Sequence, residues 1–462
     1  MKKIVLFLSV LFLCTSLSNA KVTLPAILGD NMVLQQQTSA KLWGSAAPNV
    51  KITIQTSWDK KKYQSQTDQA GKWILSVNTP KAGGPYTIQI SDGEALTINN
   101  VLIGEVWFSS GQSNMEMPLK GFSRQAVDGG IDVIIRSKPS VPIRIFNTLK
   151  KKNVKPQEDC IGFWGENKPE VVAKTSAVSY FFAKYLQEVL DVPVGIIVSA
   201  WGGSRVEPWM TAESIEPYRQ SNPNDLPVES CEMYNAMVAP IINYNIRGMI
   251  WYQGESNRKN PELYGRLMPD FVKGLRKVWG LGDFPFYYVQ IAPYVYEGAD
   301  SISGALIREV QFRNMTQIPN CGMVSLMDIG ALNNIHPPQK LPVGNRLAYL
   351  ALANTYGLKD FGFTGPVLKS VALEGSKMIL SFSPEWGIYC PNDEITGFEI
   401  AGEDKVFYPA KAVHEVKGIR IGVISDKVTK PVAVRYAFKN YVVGSLFDSY
   451  GNPVSSFRTD NW

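Results

Sequence analysis

Ser113 stands in a Gly111-Gln-Ser-Asn114 turn just past an apolar run at Glu105–Phe108, with Met115-Glu-Met117 following it. A serine hydroxyl is a poor nucleophile until a neighbouring base takes its proton. The chain holds two histidines, and imidazole is the side chain whose ordinary pKa suits a base near neutrality. His414 lies in an alternating, strand-like stretch and reads as a solvent-facing structural residue. His336 lies in an Asn333-Asn-Ile-His-Pro-Pro338 loop between a strand and a helix, and it is the expected base. Attack by such a serine on an acyl carbonyl creates an oxyanion that needs preorganised donors. The backbone N–H groups of Ser113 and Gly203 qualify, since glycine permits close approach and unusual dihedrals, and the side-chain amides of Gln253 and Asn257 are further donors. A triad also wants a carboxylate to hold the imidazole tautomer. Asn333 and Asn334, the two residues before Ile335, carry no charge, which leaves Asp328, Glu255 or a main-chain carbonyl as the partner.

These residues are dispersed, so a fold must gather them. Apolar runs occur at Glu105–Phe108, Pro193–Val198, Gly248–Trp251, Pro285–Ile291 and Met323–Leu326. Helical spacing joins Val178, Phe181, Phe182, Tyr185, Leu186, Val189 and Leu190, with Ser176 as N-cap. Leu347, Leu350 and Ala351 mark a later helix closed by Gly357. Strands alternating with helices predict an α/β domain with a parallel sheet. Polar or glycine-rich clusters follow the first, second, third and fifth runs: Gly111–Asn114, Gly202–Ser204, Gln253–Asn257, and Asp328 through His336. In a parallel sheet such segments share the carboxyl edge, where ligands bind. On either side the texture is that of short strands. The expected division is a leader at 1–20, a β-rich, sandwich-like domain at 21–100, the catalytic α/β domain at 101–358 and a β-rich region at 359–462.

The 462 residues exceed what one core accommodates. A hydrophobic share of 45% with 19% charged residues is ordinary for a globular protein, and the net charge of +6 is spread rather than blocked. The Lys60-Lys-Lys62 run reads as a solvated loop, so no nucleic-acid partner is expected. Lys2 and Lys3, the apolar run Ile4–Leu13 and the small residues of Ser18-Asn-Ala20 read as a signal peptide cleaved after Ala20. The expectation is an exported protein, periplasmic or extracellular, with no membrane span in the mature chain. Leu13 fits poorly as the residue before a lipidated Cys14. Cys160, Cys231, Cys321 and Cys390 are far apart, compatible with free thiols or with one or two bridges, and the ligand clusters a metal site needs are missing.

Taken together, the blocks resemble the sialate O-acetylesterase family of the SGNH-hydrolase superfamily. Gly29-Asp-Asn-Met-Val-Leu-Gln35 is similar to the family's opening, and Gly111-Gln-Ser-Asn-Met-Glu-Met-Pro118 to its nucleophile block. Trp201-Gly-Gly-Ser204 and Trp251-Tyr-Gln-Gly-Glu-Ser-Asn257 resemble the second and third blocks, and Ile335-His-Pro-Pro-Gln-Lys340 the histidine block. Phe398-Glu-Ile-Ala-Gly-Glu-Asp404 and Phe457-Arg-Thr-Asp460 resemble its tail, so the likeness spans nearly the whole mature chain.

The resemblance implies a flavodoxin-like three-layer α/β SGNH domain with β-rich flanks. It implies cofactor-free hydrolysis of acetyl esters on sugars, foremost O-acetylated sialic acid, through an acetyl-serine. Residue by residue it implies Ser113 as nucleophile, His336 as base, and Gly203 with Gln253 as oxyanion donors. The family commonly has Asp directly before the Ile-His pair, where this chain has Asn334, so a Ser-His dyad is expected. Arg205 is a candidate partner for a sialic acid carboxylate, which guanidinium matches bidentately, although an arginine near a loop more usually forms a structural ion pair. An acetylated polysaccharide such as xylan is the alternative substrate. A carbohydrate-binding protein with decayed machinery is the alternative from a different class.

Overall fold

The strand Ala95–Gly111 (β1) carries two ladders in succession. Its first half pairs antiparallel with Gly83–Ser91 and parallel with Val33–Gln35, ending at Gly104. From Glu105 onward it pairs parallel with Val194–Ala200 (β4) on one side, and from Trp107 with Gly248–Tyr252 (β5) on the other. The 100/101 division drawn from the sequence therefore falls inside a continuous strand. Buried Glu105 sits at the handover. It accepts hydrogen bonds from Arg247 at 2.8 and 3.1 Å, Gln36 at 2.7 Å and Tyr356 at 2.7 Å, tying the N-terminal strands to the sheet.

The computed structural model describes residues 21–221, 224–383, 387–415 and 419–462. The leader expected at 1–20, Cys14 included, lies outside the described residues. Ile143–Asn147 (β2), Trp164–Glu166 (β3), Phe286–Val289 (β6) and Cys321–Val324 (β7) complete the central sheet, in the order β7-β6-β5-β1-β4-β2-β3. All these pairs are parallel except β2 with β3. The five strands from β4 to β7 follow the doubly wound order 2-1-3-4-5, which reverses direction beside β1 and opens a crevice at its carboxyl end.

Side chains alternate across the sheet with the period of two that strands impose. Phe108, Ile197, Trp251 and Tyr288 pack on one face against Pro261–Trp279 (α3) and Ser303–Asn314 (α4). Trp107, Ile196, Ile250 and Tyr287 pack on the other against Ala177–Leu190 (α2) and Lys340–Asn354 (α5). The expected cap holds: Ser176 accepts the Ser179 N–H at 3.2 Å. Asn260 starts α3 in the same way, and Gly280, at φ +66°, ends it.

Strands around Lys51–Thr56 and Ser39–Ser45 form the N-terminal β region. Two four-stranded sheets with their own core, including Leu380, Ile400 and Val434, form the C-terminal one. That region docks on α4, where fully buried Arg308 donates to Ser456 Oγ at 3.0 Å and to the Lys439 carbonyl. Among the described residues the four cysteines are unpaired thiols. No helix among them is long and apolar enough to cross a membrane.

Candidate active site

Gly111 ends β1 at φ +149°, and a methyl group there would lie 2.2 Å from the Tyr252 carbonyl oxygen. Only glycine lets β1 turn this close to β5. The chain then enters the one-turn helix Ser113–Glu116 (α1), which presents a half-buried Ser113 at the carboxyl edge. Gln112 fastens the turn sideways, accepting the Gly254 and Ser256 N–H groups at 3.3 Å each.

The loop after β7 brings His336 to the same place, 223 residues later in the chain. His336 Nε2 lies 2.8 Å from Ser113 Oγ. On the far side of the ring, Nδ1 lies 2.8 Å from Gln125 Oε1. An amide oxygen only accepts, so Nδ1 carries the hydrogen and Nε2 offers its lone pair to the serine. Phe122, from the same loop as Gln125, sets its ring edge-to-face on the imidazole with centroids 5.4 Å apart. Burial, reinforced by the nearby Lys340 charge and opposed by Glu116, pushes His336 down to about 4. The imidazole is therefore neutral at pH 7.

None of the side chains suggested by the sequence reaches Nδ1. Asn334 Oδ1 accepts the His336 main-chain N–H at 2.9 Å, so it shapes the loop rather than orienting the ring. Asp328 is held bidentately by Arg346 at 2.8 and 2.6 Å. Glu255 is buried and bound to Asn114 Nδ2 at 2.7 Å. Gln125 was missed because it sits in an irregular loop and carries no charge; its short distance along the chain from Ser113 was the one available hint.

The loop after β4 supplies Gly202 and Gly203. A methyl group on Gly202 would come within 3.3 Å of Ser113 Cβ, so this loop rests directly on Ser113. Gly202 donates its N–H to Glu116 Oε2. Gly203, at φ +74°, is exposed, and among the described residues neither its N–H nor that of Ser113 has an acceptor. The side-chain amides behave otherwise. Gln253 Nε2 donates to Ser204 O at 3.2 Å and to Asn257 Oδ1 at 2.7 Å, using both its hydrogens. Asn257 Nδ2 donates to Glu207 Oε2 at 3.0 Å. Both amides, expected as oxyanion donors, instead brace the β4 and β5 loops against each other. Arg205 forms the structural ion pair the sequence allowed: its Nη2 donates to Glu207 and to the Asp225 carbonyl at 2.9 Å.

Beside α1 runs a groove lined by Leu149, Ile161, Phe163 and Val171, with Glu116 in its wall. Phe163 is 73% exposed. Lys150 and Lys152 lie over the Trp201 ring at 5.6 and 5.5 Å from its centroid, next to the glycine pair.

Residues 103–352 match the family profile described as carbohydrate esterase, sialic acid-specific acetylesterase. The sialate O-acetylesterase of Homo sapiens is 27% identical over 416 residues, covering 81% of this chain and 79% of that protein. The corresponding Mus musculus protein is 26% identical, covering 80% and 81%. Among solved structures, a carbohydrate acetylesterase from Xanthomonas citri superposes with a TM-score of 0.87 at 34% identity, covering 96% of this chain and all of that one.

Proposed function

The chain belongs to the sialic acid-specific acetylesterase family of carbohydrate esterases, enzymes that hydrolyse O-acetyl esters on sugars, and we propose that Ser113 and His336 perform this hydrolysis here, with Gln125 orienting the base. The observation that carries the proposal is the 2.8 Å contact from Ser113 Oγ to His336 Nε2, with Nδ1 held by an acceptor on the far side.

As Ser113 Oγ bonds to the acetyl carbonyl carbon, its proton passes to His336 Nε2. The negative charge gathers on the former carbonyl oxygen, opposite the unengaged N–H groups of Ser113 and Gly203. Collapse breaks the bond from the carbonyl carbon to the sugar oxygen, which takes the proton back from the imidazolium. A water then attacks the acetyl-serine, again giving a proton to His336, and acetate leaves as Ser113 is restored. No cofactor enters any step.

The substrate we propose is an O-acetylated sialic acid, supported by the family match. The sugar ring would lie along the groove, with its apolar face on Phe163. A second reading, an acetylated neutral polysaccharide, is favoured by the engagement of Arg205 Nη2 with Glu207, which neutralises the guanidinium nearest the glycine loop. Secretion through the leader is part of the proposal and rests on the composition of residues 1–20.

Acetate release from p-nitrophenyl acetate, compared between the wild type and Ser113→Ala, tests the catalytic reading. An active Ser113→Ala protein would overturn it. Acetylated sialic acid set against acetylated xylo-oligosaccharides then decides the substrate by kcat/KM.

A further inference from the structure

Lys340 opens α5 four residues after His336 and is buried. A buried ammonium is costly unless hydrogen-bonded and paired, and an apolar residue would fill this position if packing were all it did. Its Nζ donates to Asn114 Oδ1 at 2.5 Å and lies 5.7 Å from the Tyr252 ring centroid. Asn114 is the residue after the nucleophile. Its amide N–H groups go to Glu255 Oε1 at 2.7 Å and to the carbonyl of Ile335 at 3.0 Å, the residue before the base. One asparagine thus touches the serine turn, the histidine loop, the β5 loop and α5.

We infer that Lys340 is a positioning residue of the esterase: through Asn114 it clamps the serine turn to the histidine loop. Its charge also opposes protonation of His336. This rests on the Ser113–His336 reading given above. The other charged groups facing the centre are Glu116 from α1, which favours the imidazolium, and Glu255 from the β5 loop, which offsets the ammonium. Arg258 acts on Glu255, and burial keeps Tyr252 and Tyr296 neutral. Burial lowers Lys340 to about 7 against the pull of Glu255. It is therefore still cationic in the acidic range where His336 titrates.

The experiment measures pH profiles of kcat and KM on p-nitrophenyl acetate for wild type, Ser113→Ala, Lys340→Met, Lys340→Arg and Lys340→Gln. Lys340→Met is expected to lower kcat about tenfold or more with little change in KM. It should also move the acid limb upward by about half a pH unit or more. Lys340→Arg keeps the cation and should return the limb toward its wild-type position. Lys340→Gln keeps an amide donor facing Asn114 but carries no charge, so its limb should move upward as in Lys340→Met, and it keeps the inference testable if Lys340→Met does not fold. NMR titration follows the same shifts without activity, because the chain contains two histidines. A folded Lys340→Met protein with wild-type kcat and limb, or a folded Lys340→Gln protein with a wild-type limb, overturns the inference. If Ser113→Ala is inactive in that same experiment, the catalytic reading stands while the Lys340 inference falls. If Ser113→Ala is active, the catalytic reading itself falls.

Discussion

Gln125 Oε1 accepts the Nδ1 hydrogen of His336, so the group that holds this imidazole's tautomer is an uncharged amide from the loop following Ser113. A carboxylate there would hold the same tautomer and also stabilise the imidazolium. The amide does only the first. Gln125→Ala should lower kcat roughly 10- to 100-fold by freeing the ring. Gln125→Glu should recover turnover while shifting the acid limb to higher pH, since a neighbouring negative charge raises the imidazole pKa. Steady-state profiles of the two variants check both expectations.

With His336 as the proposed base, its depressed pKa gives the expected pH range of the wild type. Activity needs the neutral ring, so kcat/KM should rise through about pH 4 and be nearly level by neutrality. The stability effect has the same sign. The folded value, about 4, lies below the ordinary 6.5. The contribution is therefore complete above 6.5 and lost as pH falls through 4. Urea unfolding at a series of pH values should show that slope, and His336→Gln should reduce it.

Gly202 and Gly203 have separate reasons to be glycine. Gly202→Ala should cut kcat with little loss of stability, because the new methyl meets Ser113 and the end of the Glu116 side chain rather than the core. Gly203→Ala has open space around it but demands a left-handed residue, costing about 1 kcal/mol. Comparing Tm with kcat for the two variants separates strain from collision.

Phe163→Ala should raise KM for acetylated oligosaccharides about two- to tenfold, and by less for p-nitrophenyl acetate, if the ring carries the sugar face. Equal changes for both substrates would remove the groove from the binding site.

Arg308→Leu would leave the Lys439 carbonyl and Ser456 hydroxyl without their donor inside the protein. A loss of roughly 2–4 kcal/mol is expected, read by thermal unfolding as a lower Tm.

The parallel strands, their order of use and the Ser113–His336 meeting were legible in the chain because apolar runs and a scarce imidazole leave strong marks. The strand Ile143–Asn147 was missed although its apolar residues are plain, since a five-residue run lacks the length that separates a strand from other buried chain. Gln253 and Asn257 have the chemistry of oxyanion donors, and composition cannot reveal that each amide is already committed to its neighbours. The change of texture near residue 100 is also real. Ala95–Asn100 alternates between exposed and covered positions, whereas Val101–Gly111 is buried throughout. The environment changes there while the backbone continues.

That continuity bears on anyone trimming this enzyme to a smaller unit. A cut at residue 100 would sever a ladder whose other half ends at the nucleophile, leaving raw edge hydrogen-bonding groups on the strand that must hold Ser113 in register. The N-terminal strands act as the root of the catalytic blade, and fusion partners or tags belong at places other than that joint.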